Sequence, residues 1–165
     1  MILKGRVWKF GDNISTDHIV PGRFFHLRSN LDELKKHIFE DLHPGFYKKI
    51  QKGDVIFAGR NFGVGSSREH APLTIKLAGI DAVIAPSFAR IFFRNAINVG
   101  LCAVICDADE VKEGDHVEID IEAGLIKNLT QGFQKTFQPL SGIMKEILKE
   151  GGLVNYIKKK GGFKV

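Results

Sequence analysis

Cysteine is scarce in this chain: only Cys102 and Cys106 occur, with three residues between them in an apolar run. A metal site built from protein side chains usually needs three or four ligands, and no histidine cluster completes the pair. On a strand that spacing points both side chains to one face, and a pair of small, buried, reduced thiols with no metal is the expectation. Long apolar runs are missing too. None approaches the roughly 20 residues needed to cross a bilayer. The start, Met1-Ile2-Leu3-Lys4-Gly5-Arg6, lacks the apolar stretch and small-residue cleavage site of a signal peptide. A cytoplasmic location is therefore expected. Repeats, low-complexity tracts and Pro/Ser linkers are also lacking, which predicts one continuous domain over residues 1–165.

Acidic residues are the minority charge, 19 against 24 Lys and Arg, for a net +5. No helix-turn-helix, zinc-finger or RNP-like pattern accompanies the basic residues, which are dispersed apart from Lys158-Lys159-Lys160. Such a balance suits a site that collects anionic carboxylates, or an acidic partner, better than nucleic acid.

The apolar pattern predicts a first strand over residues 2–10 and a polar loop through His18. Asn30 can cap a helix over 31–41, where Leu34, Ile38 and Leu42 recur at helical spacing. From Val55 to Ile105 the order is strand, glycine-rich loop, helix, strand, helix, strand, the signature of a parallel sheet built from βαβ units. Beyond Gly114-Asp115 the period becomes two, with Val117, Ile119 and Ile121 alternating with polar residues, which predicts an antiparallel flank. Two helices close the chain, over Gly142–Lys149 and from Leu153. The fold class is α/β: a small, mostly parallel sheet with flanking helices and a β-rich flank.

Chemistry concentrates in Gly63-Val64-Gly65-Ser66-Ser67-Arg68-Glu69-His70, where a strand meets a helix N-terminus. Glycines there permit close backbone approach, free N–H groups point into the loop, and Arg68 suits bidentate carboxylate binding. A receptor for a small anion results. The same letters also spell a capping box, Ser66-x-x-Glu69, in which the glycines only turn the chain. Neither a P-loop Gly-Lys-Ser/Thr nor Gly-x-Gly-x-x-Gly is present. Loop chemistry alone leaves both readings open.

Asn61-Phe62-Gly63-x-Gly65-Ser66-Ser67-Arg68-Glu69-His70-Ala71-Pro72 resembles the signature of the isopropylmalate dehydratase small subunits, and is similar to that of the swivelling domain of aconitase and homoaconitase. Gly11-Asp12-Asn13-Ile14-Ser15-Thr16-Asp17-His18-Ile19, Ser87-Phe88-Ala89-Arg90-Ile91-Phe92-Phe93-Arg94-Asn95 and Asn98-Val99-Gly100-Leu101 agree in the right order, and the Leu148–Tyr156 tail also resembles the family. Val64 and Val20 depart from it, standing where cysteine and serine are common. The resemblance implies the swivelling β/β/α domain of the aconitase C-terminal type. It also implies a reaction that moves a hydroxyl between adjacent carbons of a di- or tricarboxylic acid by dehydration and rehydration.

By resemblance, Ser66 is the base, acting as an alkoxide, and Ser67 and Arg68 hold a substrate carboxylate. Thr16 and Asp17 match a polar segment beside the active site, and His18 is either an orienting group or a structural hydrogen bonder. Arg28, in His26-Leu27-Arg28-Ser29, sits where the family sorts substrates and would meet the far end of the substrate, pairing with a carboxylate or bordering the variable group; the Leu-Arg-Ser run resembles the isopropylmalate-type loop more than the homoaconitase type. Arg94, Asn95 and Asn98 read as capping and loop support, with lining of the crevice as the alternative. Phe88, Phe92 and Phe93 read as core.

The family's dehydration also uses a 4Fe–4S cluster held by three cysteines, and two cannot hold it. The resemblance thus implies a large partner subunit that brings the cluster, no cofactor on this chain, and no activity in isolation. Isopropylmalate in leucine biosynthesis is the expected substrate, with homoaconitate or another substituted malate as the alternative. A sensor using the same anion loop would need Arg68 but not the serine base. A nucleic-acid binder would bind without a partner and with a steep salt dependence.

Overall fold

The structure, a computed structural model, describes residues 1–162. Its centre is β1 (Ile2–Lys9), which serves two sheets' worth of pairing with its two halves. Val7, Trp8 and Lys9 pair in parallel with β2 (Val55–Phe57), while Ile2 to Arg6 pair antiparallel with β5 (His116–Asp120). With β3 (Ala82–Ala85), β4 (Cys102–Ile105), β6 (Leu125–Asn128) and β7 (Phe133–Thr136), one seven-stranded sheet forms in the order β4-β3-β2-β1-β5-β6-β7. The parallel core and the β-rich flank expected from the sequence are the two halves of this sheet.

Burial follows the two pairing modes. Strands β2 and β3 are buried at every position, because helices cover both faces of a parallel sheet. Strand β5 alternates, with Val117 and Ile119 buried between exposed or half-buried neighbours, as a sheet with one wet face requires. The sheet curls until the ends of its edge strands meet. Cys106, just past β4, points its thiol at the carbonyl of Thr136 at 3.9 Å, and Lys135 donates to the carbonyl of Asp107 at 3.2 Å.

The crossovers are α4 (His70–Leu77) and α5 (Arg90–Val99), and α6 (Gly142–Lys149) and α7 (Leu153–Lys160) pack on α5. Lys76 ties this layer together: its ammonium donates to the carbonyls of Val99 and Gly151, both at 2.8 Å. Those carbonyls sit at the C-terminal ends of α5 and α6, where a cation complements the helix dipoles.

The helix expected over 31–41 is not continuous. Helix α2 spans Leu31–Leu34, a 3-10 turn covers Lys35–His37, and Ile38 is extended. Asn30 caps α2 as expected, accepting from the N–H of Glu33 at 3.3 Å. The break comes from Phe39, fully buried at a φ of +54° with its ring 4.5 Å from Phe10 and 5.3 Å from Phe46. Its N–H donates to Ile19 at 3.0 Å, so tertiary packing overrides the local helical pattern. Two short helices were not expected: α1 (Thr16–Ile19), in the segment read as polar loop, and α3 (Phe46–Lys49). No helix of the described residues is long and apolar enough to cross a membrane.

Candidate active site

Three segments far apart in sequence lie side by side. Residues 11–16 run along the glycine loop: Gly59 N–H donates to Gly11 at 3.0 Å, Asn13 N–H to Arg60 at 2.8 Å, Gly63 N–H to Ile14 at 2.7 Å, and Thr16 N–H to Val64 at 2.8 Å. On the other flank, Phe62 N–H donates to Ser87 at 3.1 Å and Ala89 N–H to Phe62 at 2.9 Å. The loop is therefore held on both sides. Packing explains two of its glycines: a Cβ at Gly59 would stand 1.9 Å from Oδ1 of Asp12, and one at Gly63 would strike the Phe92 ring.

The capping box that Ser66 and Glu69 could have formed is absent. Helix α4 begins at His70, and its cap residue Glu69 makes no side-chain hydrogen bond to the helix. Ser66 and Ser67 are exposed, and their hydroxyls have no hydrogen-bond partner among the described residues. A capping box does occur at α1. The Ser15 hydroxyl accepts from the N–H of His18 at 3.0 Å, and the Ser15 N–H donates to Nδ1 of His18 at 3.0 Å. His18 is thereby a structural hydrogen bonder, and neutral His18 carries its proton on Nε2.

Ser66, Ser67 and Arg68 open into a cleft of about 490 Å³ with Thr16, Arg90 and Arg94 among its walls. Thr16 is buried, and a Cβ at Gly65 would lie 3.2 Å from its hydroxyl. Arg68 is half-buried. It donates to the carbonyl of Val20 at 3.4 Å, stands 4.0 Å from the carboxylate of Asp17, and lies 4.5 Å from the centre of the Phe25 ring. Asp17 is outside the cleft lining and accepts from the N–H of Gly22 at 3.0 Å, which closes the turn after α1. Arg28, at the end of the 3-10 helix Gly22–Leu27, is also outside the lining and lies 5.2 Å from the same Phe25 ring.

Arg94 takes the alternative role of lining the crevice, and Arg90 was not foreseen as a cleft residue. They sit one turn apart on α5, and neither has an ion pair or hydrogen bond among the described residues. Their i, i+4 spacing was the available signal. Among the described residues neither the Asn95 nor the Asn98 side chain is hydrogen-bonded, so neither caps or supports a loop as expected, and Asn95 takes the alternative role of lining the cleft. Asn98 lines an apolar groove beside it. Phe88, Phe92 and Phe93 do form an aromatic cluster with Phe62, with Phe92 buried.

Three guanidinia thus surround the cleft, and no carboxylate is among its lining residues. Such a site concentrates an anion and favours the deprotonated form of a hydroxyl placed in it. The cysteines serve a different environment. Burial, then the charge of Asp81, pushes the Cys102 thiol up to about 12, and burial pushes Cys106 up as well. Two buried thiols are also fewer than the three or more cysteines an iron–sulfur cluster takes. No group of three or more His, Cys, Asp or Glu able to hold a metal occurs among the described residues.

Residues 22–108 match the family described as the aconitase C-terminal domain. The chain is 60% identical to the 3-isopropylmalate dehydratase small subunit 1 of Thermotoga maritima, over 98% of both chains. It is 52% identical to the methanogen homoaconitase small subunit of Methanothermobacter thermautotrophicus, over 96% of this chain and 92% of the other. The crystal structure of 3-isopropylmalate dehydratase from Methanocaldococcus jannaschii superposes with a TM-score of 0.93 at 50% identity, covering 98% of this chain and 96% of that one. Glycine loop, serine pair, cationic cleft and these likenesses agree: the chain belongs to the aconitase C-terminal domain family, among the small subunits of the 3-isopropylmalate dehydratase type.

Proposed function

We propose that this chain is the small subunit of a hydro-lyase that interconverts 2-isopropylmalate and 3-isopropylmalate, as leucine biosynthesis requires. The observation that carries the reading is the unpaired Ser66 hydroxyl in a cleft ringed by Arg68, Arg90 and Arg94 and free of carboxylates. The names of its relatives supply the substrate.

In this reading Arg68 and Ser67 grip a substrate carboxylate. Thr16, with its backbone tied to Val64, fixes the floor of the cleft. Ser66, as alkoxide, removes the proton from the carbon beside a carboxylate. The electron pair left behind forms the carbon–carbon double bond as the neighbouring hydroxyl departs, and water then adds across that bond in the other orientation. The loop N–H groups and the guanidinia offset the charge of the alkoxide and of the developing carbanion. The hydroxyl's departure needs a Lewis acid, which we assign to a 4Fe–4S cluster on a large partner subunit. The whole chain, 1–165, then acts in the cytoplasm as one swivelling lid that closes on that partner, and is inactive alone.

The charge of Arg28 carries a second reading, against the isopropylmalate-type resemblance of its loop. A cation at the sorting loop suits a substrate whose far end is a carboxylate, as in homoaconitate, and one relative bears that name.

Co-expression with the large subunit, anaerobic cluster reconstitution and hydratase assays on both acids test the proposal. Isopropylmalate turnover that drops at least about a thousandfold in Ser66→Ala, at unchanged melting temperature, is the expected result. Turnover of homoaconitate alone moves the chain to the second reading. Wild-type turnover by Ser66→Ala removes the assigned base.

A further inference from the structure

Phe25 touches Arg68, which the proposed function gives to a substrate carboxylate, and Arg28 of the sorting loop, and its ring is their shared neighbour. Arg68 holds its Cζ 4.5 Å from the ring centre and Arg28 holds its own at 5.2 Å. Neither guanidinium is gripped firmly otherwise. Arg68 has a 3.4 Å hydrogen bond to Val20 and a 4.0 Å approach to the exposed Asp17. Arg28 has one 3.4 Å hydrogen bond, to the carbonyl of Phe25 itself.

Two like charges beside one open cleft repel each other and drift toward water. An aromatic ring counters this, because the negative face of its quadrupole attracts cations without neutralising them. The guanidinia stay charged and their donors stay free for carboxylates, which an Asp or Glu in place of Phe25 would consume. The ring is itself held: it is half-buried and meets His70, the first residue of α4, edge to face at 5.6 Å. Phe25 thus bridges the 3-10 helix that carries Arg28 and the helix that follows the serine–arginine loop.

We propose that Phe25 is a positioning residue for substrate binding, whose ring aligns Arg28 and Arg68 so that the sorting loop and the anion loop act as one receptor. This rests on the cleft being the site of the substituted-malate substrate. The placement of one guanidinium then depends on the other, and a substrate end that engages Arg28 helps seat Arg68.

The test uses the reconstituted two-subunit enzyme with Phe25→Leu, Phe25→Met and Phe25→Tyr, each checked for melting temperature and complex formation. Loss of the ring in the Leu and Met variants is expected to raise KM for isopropylmalate about tenfold while kcat changes less than threefold, and Phe25→Tyr is expected to restore KM to within about twofold. The Met variant keeps apolar volume and decides the matter if the Leu variant is poorly folded. Leu and Met variants with wild-type KM overturn the proposal, as does Phe25→Tyr as impaired as the other two. Malate binding to the same enzymes, measured by calorimetry, separates this from the assignment of function. If wild type does not turn over isopropylmalate but Kd for malate still rises in Leu and Met and recovers in Tyr, the substrate assignment fails and the role of Phe25 stands. A malate Kd that ignores residue 25 overturns it.

Discussion

Gly63 lies so close to Phe92 that a Cβ on it would stand 2.1 Å from Cγ of the ring, at a φ of +85° that side chains rarely adopt. Helix α5 can press against the glycine loop only because residue 63 has no side chain. Replacing it forces the ring, and with it the α5 wall that carries Arg90 and Arg94, away from Ser66.

Gly63→Ala is therefore expected to cost about 2–5 kcal/mol through steric overlap and backbone strain together. The midpoint of thermal unfolding should fall by roughly 5–15 °C. Activity of the surviving folded complex should fall further than Ser67→Ala lowers it. A Gly63→Ala protein with wild-type melting and activity contradicts the packing described.

Arg90 and Arg94 supply two of the three cations that line the cleft and hold nothing else in place. Arg90→Gln with Arg94→Gln should leave the melting temperature within about 2 °C, because surface changes without lost contacts are nearly neutral. The same pair should lower kcat/KM about tenfold and flatten its dependence on ionic strength, since long-range attraction of an anionic substrate is what salt screens. Steady-state kinetics between low and physiological salt distinguish this from a role for Arg68 alone.

Asp115 contributes to the response to acid. Burial pushes its carboxyl up, but hydrogen bonds from Asn128 Nδ2 at 2.7 Å, the Lys112 N–H at 2.9 Å and Gln131 Nε2 at 2.6 Å outweigh it and hold the group below its ordinary 3.8. A depressed folded value means that the stabilisation is present above the unfolded pKa and lost as pH falls through the folded one. Asp115→Asn should melt below wild type at pH 7, and the gap should close as pH falls through and below the ordinary carboxylate range. Melting curves from pH 7 to 2 check both limbs, and a gap that persists in acid refutes the assignment.

The thiols should be inert. Cys102, pushed up to about 12, is protonated at any working pH, and both cysteines are buried. Iodoacetamide at pH 8 should leave Cys102 unmodified in the native chain and alkylate both residues in guanidinium, as read by mass spectrometry. Rapid native labelling of Cys102 would show that β4 opens.

Local chemistry was enough for much of this protein. The period-two stretch at Val117, Ile119 and Ile121 became β5, the Asn30 cap became the start of α2, and Ser141 begins α6 by accepting from Met144 at 3.5 Å. These outcomes depend on neighbours a few residues away, which a sequence displays directly. The glycine loop was legible as a turn from strand to helix for the same reason, since its glycines, serines and arginine lie within one short stretch of chain.

Tertiary structure decided the rest. Ser66-x-x-Glu69 and Ser15-Thr16-Asp17-His18 can both be written as caps. Only pairing of the loop with residues 11–16 left Ser66 free and gave the cap to Ser15. Phe39 ends a promising helix because its burial against Phe10 and Phe46 outweighs a few tenths of a kcal/mol of propensity per residue. Arg90 and Arg94 face Ser66 across more than twenty residues of chain, and Phe25 joins Arg28 to Arg68 across forty positions. The sequence by itself determined which side chains are available for the chemistry and most of the strands and longer helices. Which cations share a cleft, and which hydroxyl is left without a partner, was set by long-range packing, because those contacts form between elements whose separation along the chain carries no periodic signal.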